Sequence, residues 1–111
     1  AIVMDTATAV DEFGDADTVK IVARQLIKNV DGQLEMIRES IANGDRERIR
    51  KEAHAIKGGA ATMEAIALSK AAAQLEDLSP DGPMDVLGTG FGDLENQFYR
   101  FREFVSQWKG L

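Results

Sequence analysis

Hydrophobic residues recur at steps of three and four along almost the whole chain, and strand-like alternation is absent before residue 79. The longest run, Val19, Val22, Leu26, Val30, Leu34, Ile37 and Ile41, keeps its phase across Asp31-Gly32, a pair that reads as a kink or weak point. "NGD" at 43 to 45 ends it. A second stripe, Ile49, Ala53, Ile56, Ala60 and Met63, advances by four, three, four and three. Ala65, Leu68, Ala72 and Leu75 form a third that is rich in alanine, small enough for a neighbouring backbone to come close. The last, Leu87, Phe91, Leu94, Phe98, Phe101, Val105 and Trp108, is heptad-like and carries most of the large aromatic anchors.

Punctuation residues divide these stripes. Gly14 stops a short leading helix, with Asp15 or Asp17 available to cap the next. The only prolines, Pro80 and Pro83, bracket the loop "SPDGP". The pattern predicts helices over about 5–13, 16–42, 45–62, 64–78 and 85–109, with the first turns of the last weakened by Gly88, Gly90 and Gly92 so that firm helix begins nearer Asp93. The expected fold is all-α: an antiparallel four-helix bundle with a short additional N-terminal helix, one domain over 1–111. A bundle of this size needs the final heptad stripe for its own core, so a monomer is expected rather than a coiled-coil dimer.

Composition narrows the function. With 13 basic and 19 acidic residues the net charge is −6, which repels nucleic acid and anionic membrane surfaces. There is no cysteine, which removes disulfides, thiolate metal sites and thiol nucleophiles. No stretch approaches the length of a membrane span, and a cytoplasmic protein is expected. The chain starts at Ala, consistent with processing, a tag, or excision from a longer protein.

The chemistry concentrates in "AHAIKGGAATM", residues 53 to 63, which holds the only histidine. On a helical wheel His54 lies about 140° from the centre of its helix's apolar stripe, with Lys57 at about 80°, Ala61 at about 120° and Gly58 at about 180°. The imidazole therefore faces outward among two tiny residues and a lysine. Each glycine in a helix interior costs about 1 kcal/mol relative to alanine. A helix end would explain the pair, but Ala60 and Met63 keep the stripe's phase beyond it. Close approach of another helix suits Gly59; Gly58 points to solvent and reads as room for a visiting partner.

A surface histidine usually has no role. One imidazole without cysteines is a poor metal site, and a serine-hydrolase arrangement lacks an oxyanion loop. What remains is a nucleophilic imidazole, which needs one free ring nitrogen, a group holding the proton on the other, and a nearby cation to tolerate an incoming anion. Lys57 supplies the cation. Glu76, about 60° from the centre of the fourth helix's apolar face, is a possible acceptor for a proton of His54. It also has the alternatives of reaching water or meeting a lysine or arginine.

"AHAIKGGAATM" followed by "LSKAAAQLEDL" resembles the histidine phosphotransfer (HPt) domains of multistep phosphorelays, whose signature is His-x-x-Lys-Gly-(Gly/Ser)-(Ala/Ser), and "IKGGAAT" is closest to the phosphotransfer domain of chemotaxis-type histidine kinases. The likeness runs from about Gly14 to Leu78. It implies that His54 accepts a phosphoryl group on Nε2, that Lys57 offsets its charge, and that Glu76 holds the proton on Nδ1. Gly58 and Gly59, with Ala61 beside them, let the partner close over the ring. The implied partner is a response-regulator receiver domain, a sensor histidine kinase, or both. The implied protein is a phosphocarrier without cofactor or kinase site, magnesium being expected on the receiver, and no nucleotide-binding loop is present. One alternative makes the chain the substrate domain of a chemotaxis-type kinase, phosphorylated by ATP through a separate kinase domain; another makes it a non-catalytic helical interaction module. The chain departs from the family pattern at Met63-Glu64, where a glycine often ends the histidine helix.

Overall fold

The computed structural model describes residues 2–110. Five helices follow in order: α1 (Thr6–Phe13), α2 (Ala16–Asn43), α3 (Arg46–Thr62), α4 (Ile66–Leu78) and α5 (Met84–Gln107). The last four form the bundle, in which α3 packs against α2 and α4, and α5 closes the ring against both α4 and α2. The 28 residues of α2 account for the 43 Å long axis of the molecule, since each helical residue adds about 1.5 Å.

Aspartates start three of the helices. The side chains of Asp5, Asp15 and Asp45 accept hydrogen bonds from the backbone N–H groups of Thr8, Thr18 and Arg48, satisfying donors that have no partner within the helix. Gly44 ends α2 in the left-handed conformation at φ 69°. α4 has no side-chain cap; instead the N-terminal segment crosses its start, and Ala67 N–H donates to the Ile2 carbonyl at 3.0 Å. The next tie is from Asp5 N–H to the Glu64 carbonyl at 2.9 Å, so the residues before α1 cover the α3–α4 end of the bundle while α1 itself packs on α2.

The predicted stripes are the core. Val19, Val30, Ile37, Ile49, Ile56, Leu68, Leu75, Leu87, Leu94, Phe98 and Phe101 are all essentially inaccessible to solvent. Three boundaries differ from expectation. α4 begins at Ile66 rather than Glu64, because Glu64 adopts φ 57° and breaks the helix as a glycine would. α5 runs unbroken from Met84 through Gly88, Gly90 and Gly92, since burial of Leu87 and Phe91 outweighs their weak helix propensity. It ends at Gln107, and Trp108 leaves the helix with ψ 127°, its ring half-buried beneath the Lys20 ammonium at 5.8 Å. α2 likewise continues without interruption through Asp31-Gly32.

Candidate functional site

His54 sits midway along α3 on the side turned towards α4. Its side chain is 62% exposed, whereas Glu76, on the last turns of α4, is only 16% exposed. The two meet across the helix pair, with His54 Nδ1 2.7 Å from Glu76 Oε2. The second carboxylate oxygen, Oε1, lies 2.6 Å from the Lys57 ammonium. It is sealed from solvent and has no donor in good hydrogen-bond alignment, so its contact with Lys57 is chiefly one of charge. One carboxylate therefore contacts both the imidazole and the ammonium carried by α3.

The electrostatics fix the proton. The Lys57 ammonium foremost, and the His54 N–H after it, hold the Glu76 carboxyl below its ordinary range against the opposing effect of burial. An ionised carboxylate only accepts hydrogen bonds, so the proton between the two residues belongs to Nδ1. In the neutral ring Nε2 is then unprotonated, on a side chain that is largely exposed. One turn earlier Arg50 is paired with Glu47 through Nη2 at 2.6 Å and Nε at 3.1 Å.

The two glycines divide as the wheel suggests. A Cβ on Gly58 would meet nothing within 4 Å, and the residue is exposed. A Cβ on Gly59 would lie 2.8 Å from Leu26 Cδ1, so Gly59 is half-buried against α2 and its missing side chain serves helix packing. Of the two, the open surface beside His54 belongs to Gly58, together with exposed Ala61 two turns beyond the ring. The helix continues through both glycines to Thr62, whose hydroxyl donates to the Gly58 carbonyl at 3.0 Å.

Two contacts framing the site had no clear mark in the sequence. Ser69 Oγ donates across the helix pair to the Lys57 carbonyl at 3.3 Å. Arg46 Nη1 reaches the carbonyls of Ser79, at 3.2 Å, and Gly82, at 2.6 Å, beyond the end of α4. The only available signal for Ser69 was its position seven residues before Glu76, hence on the same face of α4. Among the described residues, no three His, Asp or Glu side chains converge as a metal-binding group. No helix among them is long and apolar enough to cross a membrane.

The Hpt domain family profile matches residues 22–104. The chain is an Hpt domain. Its fold is also that of a solved structure, the crystal structure of histidine-containing phosphotransfer protein B (HptB) from Pseudomonas aeruginosa PAO1. The two superpose with a TM-score of 0.85 at 21% sequence identity, over 96% of this chain and 94% of that one. No curated protein sequence matches significantly. This Hpt domain is accordingly a histidine phosphotransfer protein of phosphorelay signalling, in the class that passes phosphate between kinases and receiver domains. Such domains are phosphocarriers, not kinases.

Proposed function

We propose that His54 is the phosphoacceptor of this Hpt domain, with Glu76 and Lys57 as its two supports. The observation that carries this reading is the 2.7 Å contact from Nδ1 to a half-buried, ionised carboxylate, which leaves Nε2 as the free nucleophile on an exposed ring. In the forward step the Nε2 lone pair attacks the phosphorus of an acyl phosphate on a receiver aspartate. The N–P bond forms, the P–O bond to the aspartate breaks, and the electron pair leaves with that carboxylate. The Nδ1 proton stays in its hydrogen bond to Glu76, whose charge balances the positive ring of the phosphoimidazole.

Lys57 contributes in two ways. It offsets part of the Glu76 charge, which reduces repulsion of the incoming phosphoryl group, and its ammonium, on a partly exposed side chain one turn from His54, is the cation beside that group. Gly58 and Ala61 leave the neighbouring surface low, so a partner's active site has access to the ring. The magnesium ion and the acidic pocket belong to the receiver, and the phosphoryl donor comes from outside this chain.

The test is transfer from a labelled, phosphorylated receiver domain. The wild-type protein is expected to acquire phosphate that is stable in base and lost in acid. His54→Gln is expected to acquire none; persistence of label in that variant refutes the assignment.

A further inference from the structure

Glu76 is useful to His54 only at one height along α3. A displacement of α4 by a single helical residue, about 1.5 Å, would stretch a 2.7 Å contact beyond hydrogen-bonding range. Much of the apolar contact between the two helices is made by small residues. Ala53 and Ala60 alternate with Ile49 and Ile56 on α3, and α4 buries Ala67, Ala71 and Ala72 beside Leu68 and Leu75. Methyl groups permit close approach but give shallow ridges, which resist sliding less than large interlocking side chains do.

Polar ties stand at both ends of the segment that carries Glu76. Seven residues before it, Ser69 Oγ donates to the carbonyl of Lys57, inside the His54–Lys57 turn itself. Three residues after it, Ser79 closes α4, and its carbonyl is held by Arg46 from the first turn of α3. That end is well ordered. Ser79 is fully buried, with its hydroxyl bonded to the Leu75 carbonyl at 2.6 Å, and Gly82 folds back so that its N–H donates to the Leu78 carbonyl at 2.8 Å. The same Arg46 nitrogen that binds Ser79 also binds the Gly82 carbonyl, so one guanidinium satisfies two acceptors left over at the end of α4 and adds a cation where the helix dipole favours one.

We propose that Arg46 and Ser69 are positioning residues that set the register of α4 on α3 and thereby keep Glu76 on His54 Nδ1. Neither touches the reacting atoms. Their effect on phosphoryl transfer rests on the assignment of His54 as phosphoacceptor, but their effect on the imidazole does not.

His54 is the only histidine, so its ring nitrogens are directly visible by ¹⁵N NMR of histidine-labelled protein. The wild type is expected to hold the neutral ring in the Nδ1–H form. Arg46→Ala is expected to move the tautomer ratio several-fold towards Nε2–H and to slow transfer from a phosphorylated receiver by roughly five- to tenfold, with Arg46→Lys restoring most of both because one ammonium also reaches the two carbonyls. Ser69→Ala, a milder change that removes one long hydrogen bond, should shift the ratio in the same direction by less. Val105→Ala, a cavity-creating change in the buried seam of α5, serves as a control that lowers the melting temperature without moving the tautomer. If Arg46→Ala and Ser69→Ala lower the melting temperature yet keep the wild-type tautomer, the ties only stabilise the fold and the proposal is overturned. A wild-type protein that takes no label refutes the phosphoacceptor reading while leaving the tautomer result to judge this one.

Discussion

Where α5 meets the rest of the bundle, Leu87, Phe91, Leu94, Phe98 and Phe101 fill the interior with large side chains, and a charged clip from Arg38 of α2 to Glu95 crosses the surface. Where α3 meets α4, alanines let the helices come close, and directional polar contacts are added to the packing: His54 and Lys57 on Glu76, Ser69 on the Lys57 carbonyl, Arg46 on Ser79 and Gly82. The α5 side derives its stability from buried area, which is non-directional and tolerates small shifts. The α3–α4 side uses directional contacts, which contribute less stability but locate individual atoms. The proposed chemistry is on the second side, where a misplacement of about 1 Å matters most.

That division is broken most strongly by two substitutions that should have opposite signatures. Phe98→Ala empties a fully buried site and is expected to cost about 3–5 kcal/mol in denaturant unfolding, while the transfer rate per folded molecule stays within about twofold of wild type. Glu76→Ala should do the reverse. Its effect on unfolding is smaller, but the transfer rate is expected to fall roughly 10–100-fold, by analogy with the loss of a group that orients a metal-bound histidine. Because Lys57 and His54 depress the Glu76 pKa, its stabilising effect is present above the ordinary value of 4.5 and is lost as pH falls through the folded value. The stability difference between wild type and Glu76→Ala should therefore close in acid, below about pH 4.5. A transfer rate that follows Phe98→Ala as closely as Glu76→Ala would mean the two regions are one.

The sequence made the α5 side legible almost in full and the α3–α4 side in outline. Periodicity identifies a buried stripe because burial is a property of one residue type at one spacing, and Leu87 to Val105 are buried as expected. It misjudged the glycines of α5, because propensity is a local quantity and the packing of Leu87 and Phe91 on either side of Gly88 and Gly90 is not. The wheel placed His54, Gly58 and Glu76 correctly, and one end of the His54–Glu76 bond was open to argument on the sequence alone. Yet Lys57 and His54 sharing a single carboxylate, and Arg46 reaching carbonyls more than thirty positions away, depend on the height at which two helices meet. Side-chain to backbone contacts of that kind leave no residue-type signature, since any residue offers a carbonyl.

A finer probe lies within α3, where adjacent glycines should respond differently to the same change. Gly58→Ala adds a methyl group to open space and should stabilise the protein by about 0.5–1 kcal/mol. Gly59→Ala brings the same backbone gain but puts Cβ 2.8 Å from Leu26 Cδ1, the far end of a flexible side chain that must swing aside, so this variant should gain less stability than Gly58→Ala. A large residue at position 58 separates stability from access: Gly58→Leu should fold normally and bind a receiver domain more weakly. Equal unfolding midpoints for the two alanine variants would remove the distinction between a glycine kept for packing and one kept for a partner.

The smallest expected effect on transfer comes from the turn that joins the two helices. Glu64 is the only non-glycine residue at positive φ among the described residues, at 57°, and its carbonyl accepts from Asp5 N–H, so the backbone is held there whatever the side chain. The neighbouring Glu12 carboxyl foremost, followed by burial and the charge of Asp5, raises the Glu64 pKa. A raised folded value means the folded state holds the proton more tightly than the unfolded chain does. No penalty exists in acid below the unfolded value, and stability is lost as pH rises through the interval up to the folded value. Glu64→Gly should relieve both burdens and raise stability at neutral pH, the release of left-handed strain alone being about 1 kcal/mol. Glu64→Gln keeps the strain and removes only the charge, so its gain should vanish in acid while that of the glycine variant persists. Since position 64 lies on the turn and not on the face shared by His54 and Glu76, neither variant should alter transfer from a phosphorylated receiver, and a change in that rate would show that the turn, too, helps set the height of α4.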